Sequence, residues 1–187
     1  MSAPTHTSGL VYADLERFGE DNVRRELIGG ELIVSPSPRP RHQEVADELT
    51  WHLRSYCKRR GGRANSAPLD VVFTDADVLQ PDVLVLTAEH LDRIGPTHIT
   101  AAPDIVVEVS SPSTRHHDLV RKRAVFERYG VPEYWFVDLE ADGIAVYRHD
   151  GDRYGQPTLL GRTDSLTTPL LPGFTAGVDE LLGQPER

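Results

Sequence analysis

An α/β fold, with a central mixed β-sheet flanked by helices, is what this 187-residue sequence predicts. Three observations carry that expectation. Short β-branched or leucine-rich runs bounded by Pro, Gly and polar residues read as strands. Two longer segments, about Arg41 to Arg60 and about Thr114 to Tyr129, have apolar residues at helical spacing. The early strands follow one another without a helix, whereas a helix precedes the strand at Glu133, an order that argues for a mixed sheet.

The length suits one domain, expected over residues 10–183 behind a disordered Ser/Thr/Pro-rich tail at 1–9. Tyr12 to Phe18 reads as a short helix. The run Glu26-Leu27-Ile28-Gly29-Gly30-Glu31-Leu32-Ile33-Val34 reads as a hairpin, because Gly-Gly suits the positive φ of tight turns. Three prolines between Ser35 and Arg41 break regular structure. The next helix carries His42, Val45, Ala46, Leu49, Leu53 and Tyr56 on one side. Leu69 to Thr74 is a strand, Asp75-Ala76-Asp77 a turn, and Gln80-Pro81-Asp82-Val83-Leu84-Val85-Leu86 leads into another strand. Glu133–Asp138, Gly143–Arg148 and Tyr154–Leu160 form a C-terminal meander, and Gly173 to Leu182 closes the chain as a short helix.

The candidate site lies between Gln80 and Tyr129. In Asp104-Ile105-Val106-Val107-Glu108-Val109-Ser110 a period of two puts Glu108 on the face of Val106, where a carboxylate needs a partner, a hydrogen bond or a metal. In the helix that follows, about 100° per residue gathers Asp118, Leu119, Lys122, Val125, Phe126 and Tyr129 on one side. Lys122 therefore sits inside an apolar stripe. The chain holds two lysines against 18 arginines, so a generic surface cation would have been an arginine. Pairing of Lys122 with Asp118 one turn earlier is the structural alternative.

Asp82, Glu108 and Lys122 together resemble the acid, acid, lysine set of the PD-(D/E)XK nuclease superfamily, with Pro81-Asp82 as its first motif. More narrowly, the chain resembles the restriction endonucleases of the Uma-two family. The resemblance is carried by Glu26-Leu27-Ile28-Gly29-Gly30-Glu31-Leu32, His42-Gln43, Gln80-Pro81-Asp82, the run Ala102 to Thr114, and Lys122 followed by Tyr129-Gly130-Val131-Pro132-Glu133-Tyr134-Trp135. Ser110 stands where the superfamily pattern has its lysine, so the resemblance implies that the lysine has moved to the following helix. Pro103-Asp104 is a second Pro-Asp pair, but it shares a strand with Glu108 and supplies no separate one.

The resemblance implies a restriction endonuclease-like core and a metal-dependent endonuclease acting on DNA. Asp82, Glu108 and the main-chain carbonyl of Val109 would hold Mg²⁺ or Mn²⁺, since hard oxygen ligands suit these ions. Lys122 would orient or activate water. Glu31, His42, Gln43 and Asp118 are supporting candidates, and which hairpin acid joins the site stays open. Arg59, Arg60 and Arg63 either contact phosphate or, with Lys58, complement the end of their helix. A catalytically silent nuclease-fold binding protein and a hydrolase of small phosphoesters are the alternatives. The net charge of −9 requires any nucleic-acid surface to be a local basic patch. Single Cys57 excludes an intramolecular disulfide, and the absence of a long apolar run predicts a cytoplasmic protein without membrane spans. A homodimer is expected, with Tyr147, Tyr154, Leu159 and Leu160 at its interface.

Overall fold

The computed structural model describes residues 9–19, 21, 23–110 and 115–184. Residues 1–8 of the expected tail at 1–9 and residues 111–114, the end of the Ala102 to Thr114 run, lie outside them. Helix α1 (Tyr12–Leu15) and a 3₁₀ turn (Glu16–Phe18) precede the hairpin of β1 (Arg24–Ile28) and β2 (Glu31–Ser35). Its turn uses positive φ at both glycines, 59° at Gly29 and 79° at Gly30. Gly9, the first described residue, packs against Gly30, and Leu10 N–H donates to the Gly30 carbonyl at 2.8 Å.

Pro40 opens the long helix α2 (Pro40–Arg60), where its fixed φ suits the first turn, and Gly61 closes it with φ 84°. Strands β3 (Arg63–Ser66), β4 (Val71–Thr74), β5 (Asp77–Leu79), β6 (Val83–Leu86) and β7 (Ile105–Val109) follow. A π-helical turn (His117–Lys122) runs into α3 (Arg123–Arg128). Then come β8 (Glu133–Asp138), β9 (Gly143–Arg148), β10 (Thr158–Gly161), the small β11 (Ser165–Leu166) and β12 (Ala176–Gly177) pair, and α4 (Val178–Leu182).

The main sheet has the order β10-β9-β8-β7-β6-β3. It is mixed: β7 and β8 run parallel, with Ile105 opposite Glu133, and every other pair in it is antiparallel. Parallel neighbours require a long crossover, and here it carries the π turn and α3. One face, with Val83, Val85, Ile105, Val107, Val109 and Trp135, packs on Leu49 and Leu53 of α2 and on Leu181 and Leu182 of α4. The other, with Val106, Tyr134 and Phe136, packs on Val125 and Phe126 of α3. The period-two reading of the Glu108 strand thus matches the two faces of β7.

Several details differ from the sequence expectation. Strands β3 and β5 are additional, and β5 pairs with β1 and β4 in a second sheet of order β2-β1-β5-β4. Asp77 therefore begins a strand instead of ending a turn, and Asp82 stands immediately before β6. The third meander strand is shortened to Thr158–Gly161, and only the end of the predicted C-terminal helix is helical, after β12. Tyr147 and Tyr154, expected at a dimer interface, are instead buried. They belong to an aromatic group with Tyr134, at 5.9 and 6.3 Å between ring centroids, and the Tyr154 hydroxyl donates to the Val131 carbonyl at 2.9 Å. Leu160 packs partly on the core, which leaves Leu159, 74 % exposed, as the surface apolar residue of the predicted set.

The two hairpin glycines are not equivalent. An added Cβ at Gly30 would lie 2.9 Å from Gly9 Cα, whereas at Gly29 it meets open space. Gly29→Ala should cost about 1 kcal/mol for its left-handed backbone, and Gly30→Ala more, about 2–3 kcal/mol, because backbone must also shift. Urea unfolding of the two variants against wild type measures the difference.

Candidate active site

Burial decides the character of this site. Glu26, Asp82, Glu108, Asp118 and Lys122 are all at most 4 % exposed. They arrive from four elements: Glu26 from β1, Asp82 from the segment entering β6, Glu108 from β7, and Asp118 and Lys122 from the π turn. Lys122 Nζ stands 2.9 Å from Glu26, 3.0 Å from Glu108 and 3.7 Å from Asp118. The predicted alternative, a lysine paired with Asp118, is thus the longest of its three contacts.

The π turn explains how Asp118 and Lys122 both point inward. Arg123 N–H reaches back to the Asp118 carbonyl five residues earlier, the signature of the widened turn. The Tyr134 hydroxyl donates to the same carbonyl at 3.1 Å and anchors the turn on β8.

Asp82 occupies the other side of the cluster. Its Oδ2 accepts the Val109 N–H at 2.7 Å and lies 3.1 Å from His42 Nε2, while Oδ1 accepts from Arg24 Nη1 at 2.6 Å. Arg24 Nη2 donates to the Gln80 carbonyl and stands 3.5 Å from Glu108 and 3.7 Å from Glu26. One guanidinium therefore binds three acids. Arg24 is not among the residues that the sequence singles out. A signal was present: Arg24 and Glu26 are two apart on one strand and so share a face.

The electrostatics follow from four acids facing two permanent cations. Burial alone would raise every carboxyl pKa. At Asp82 burial is outweighed by the Arg24 charge and the His42 hydrogen bond, which hold it well below the usual range. Burial is also outweighed at Glu26, by Lys122 and then Arg24, and its pKa falls. At Glu108 burial prevails over Lys122, with Asp82 adding repulsion, and the pKa is pushed well up. The Lys122 ammonium, disfavoured by burial and by Arg24, is nevertheless stabilised above its ordinary range by Glu108, Glu26 and Asp118. Among the described residues, Glu26 Oε2 and His42 Nδ1 are buried without a hydrogen-bond partner.

A cleft of about 610 Å³ opens onto the cluster, lined by Arg24, Arg39, His42, Asp82, Glu108 and Lys122 among others. The profile of the Uma2 family, described as "Putative restriction endonuclease", matches residues 12–179. The chain belongs to the Uma2 family. A solved structure titled as a "putative nuclease belonging to DUF820", from Anabaena variabilis ATCC 29413, superposes with a TM-score of 0.77 at 20 % identity, covering 92 % of this chain and 97 % of that one. At that identity the likeness speaks for the fold, a nuclease-like one. No curated protein matches.

Not every predicted residue of this Uma2 chain reaches the cluster. Of the two hairpin acids, Glu26 is in it and Glu31 is not: Glu31 is exposed and paired with Arg121 at 2.7 Å. A Gly-Gly turn separates the two positions, and only β1, the inner strand, is covered from both sides. Gln43 is exposed and donates to Asp47 at 3.0 Å, one helical turn away. Arg59 and Arg60 end the helix that His42 begins, about 25 Å along its axis at 1.5 Å per residue. Arg63 pairs with Leu86, at the end of β6 away from Asp82. The second Pro-Asp pair is structural: Asp104 is buried and accepts from Thr87 N–H at 2.7 Å and Thr87 Oγ1 at 2.9 Å, with His90 Nδ1 at 2.6 Å.

Removing a single charge from this cluster strands the others. Lys122→Met should destabilise the protein by about 3–5 kcal/mol, since it leaves buried Glu26 and Glu108 without the nearer of their two cations. Glu31→Gln should leave the unfolding midpoint unchanged, because its partner is on the surface. Parallel urea titrations of the two variants, both removing a partner of a carboxylate ion pair, check the contrast.

Proposed function

We propose that this Uma2 protein is a metal-dependent endonuclease that hydrolyses phosphodiester bonds of DNA. The observation that supports the reading above all others is the convergence of Asp82, Glu108 and Lys122, from three separate elements, at the floor of one open cleft. The residues fit a divalent cation. Among the described residues, buried acids of the cluster outnumber its permanent cations, the ligands on offer are hard carboxylate oxygens, and one carboxylate oxygen, Glu26 Oε2, lacks a hydrogen-bond partner.

Asp82 and Glu108 would hold Mg²⁺ or Mn²⁺, with the Val109 carbonyl as a further ligand. A bound ion of this kind supplies a more acidic water and stabilises charge developing on phosphate oxygens. The protein's own groups do the positioning. His42 and the Val109 N–H fix the Asp82 carboxylate, so its orientation is set before any ligand arrives. Glu26 and Asp118 hold the Lys122 ammonium beside Glu108, where it can orient a water and offset charge on the phosphoryl group. Pro40, at the first turn of α2 with no side-chain cap, puts the positive end of that helix at the cleft, and exposed Arg39 lies at its rim. Arg39 replaces Arg59, Arg60 and Arg63 as the proposed phosphate contact, because those three lie at the distant end.

Cutting both strands needs two such sites or two successive events. A homodimer remains part of the proposal, with edge strand β10 and its exposed Leu159 as the pairing surface. A catalytically silent fold is the competing reading, and one observation favours it: Arg24 already bridges Asp82 and Glu108, where the ion would sit.

Nicking of supercoiled plasmid with Mg²⁺ or Mn²⁺ decides between them. Wild type should nick, Asp82→Asn and Glu108→Gln should each lose about a hundredfold or more in rate, and Arg59→Ala should match wild type. No cleavage of DNA by wild type with either ion, while calorimetry shows no ion bound, would establish the silent reading.

A further inference from the structure

A second cluster of ligating side chains lies away from the cleft. Glu48 and His52 are one turn apart on α2, and Glu180 reaches them from α4. His52 Nε2 stands 3.2 Å from a Glu48 oxygen and 3.4 Å from a Glu180 oxygen. All three potential ligand atoms lie within 4.8 Å of one another. From this arrangement we infer a binding site for a Zn²⁺-class divalent transition metal that clamps the C-terminal helix α4 to α2.

Three features support it. The first is spacing: ligands at about 2.0–2.1 Å from a tetrahedral metal lie about 3.3 Å apart, which the two measured separations from Nε2 match. The second is the state of the imidazole. His52 Nε2 is buried and makes no hydrogen bond among the described residues, although two carboxylates flank it. A ring nitrogen shielded from water that makes no hydrogen bond is costly even within ion-pair distance of two carboxylates, and metal ligation would satisfy it. The third is rigidity. Leu49, Leu53, Val178, Leu181 and Leu182 pack together beneath the cluster. Arg162 binds the Asp179 carboxylate at 2.7 Å and the Gly183 carbonyl at 2.8 Å, which ties down residues on both sides of Glu180. The two helices are therefore held against each other, with Glu48, His52 and Glu180 projecting from them at the seam.

The ligand set selects the metal. One imidazole with two carboxylates suits Zn²⁺ or Co²⁺ better than Mg²⁺, and so differs from the all-oxygen cluster at the cleft. Glu48 and Glu180 are partly exposed, which leaves room for water to complete the coordination. Two carboxylates this close repel unless a cation lies between them. An imidazolium would serve as that cation if His52 were protonated, and the experiment separates the two cases.

Full-length protein stripped with EDTA is titrated with Co²⁺ at neutral pH and followed by visible absorption. Wild type and Asp82→Asn should both show a saturable band that Zn²⁺ bleaches. His52→Ala and Glu180→Gln should each bind at least tenfold more weakly. Glu180→Gln keeps shape at an exposed position, so its loss of binding does not reflect unfolding. Zn²⁺ should also raise the thermal midpoint of wild type but not of Glu180→Gln. Absence of the band in wild type, as an imidazolium bridge requires, overturns the site. So does equal binding by His52→Ala, and retention by Glu180→Gln overturns the clamp.

Discussion

Lys122 is the charge on which the rest of the site depends. An ammonium 2 % exposed is tolerated only because Glu26 and Glu108 stand 2.9 and 3.0 Å away, and those acids in turn are tolerated only beside a cation. The need to bring these groups together explains why β1, β7 and the π turn meet where they do. It also explains the π turn itself, a rare geometry that recurs at functional sites.

Arg24 gives the cluster a second centre. Its guanidinium forms contacts with Asp82, Glu108 and Glu26 from one position, a fork that lysine could not reproduce. With Lys122 it divides the acids into two overlapping sets that share Glu26 and Glu108. The opposite directions of the Asp82 and Glu108 pKa values express this division: Arg24 and His42 serve Asp82, whereas burial and the neighbouring Asp82 charge leave Glu108 the least favoured carboxylate.

The surrounding fold is economical in how it delivers these groups. Helix α2 carries His42 at its first turn and seals one face of the sheet along its length. The β7–crossover–β8 unit places Glu108 and Lys122 on the same face, because a parallel pair obliges the intervening helix to pack back across the sheet. The four-stranded second sheet has one consequence above others: it buries β1 and thereby converts Glu26 from a hairpin acid into a member of the cluster.

By itself the sequence determined the strand periodicity of residues 104–110, the two apolar helical faces, the Gly-Gly hairpin and the family. It also singled out Lys122, since a lysine among apolar neighbours is legible one residue at a time. Local periodicity shows which face a residue occupies but not what covers that face. Tertiary structure alone therefore decided that Glu26 joins the cluster while Glu31 meets solvent, and that Arg24 partners an acid 58 residues away. It decided likewise that Tyr147 and Tyr154 fill the core, and that the Arg59, Arg60 and Arg63 group lies far from the acids. Each of these depends on contacts between segments distant in the chain, where burial and charge pairing are settled by packing and not by neighbours in sequence.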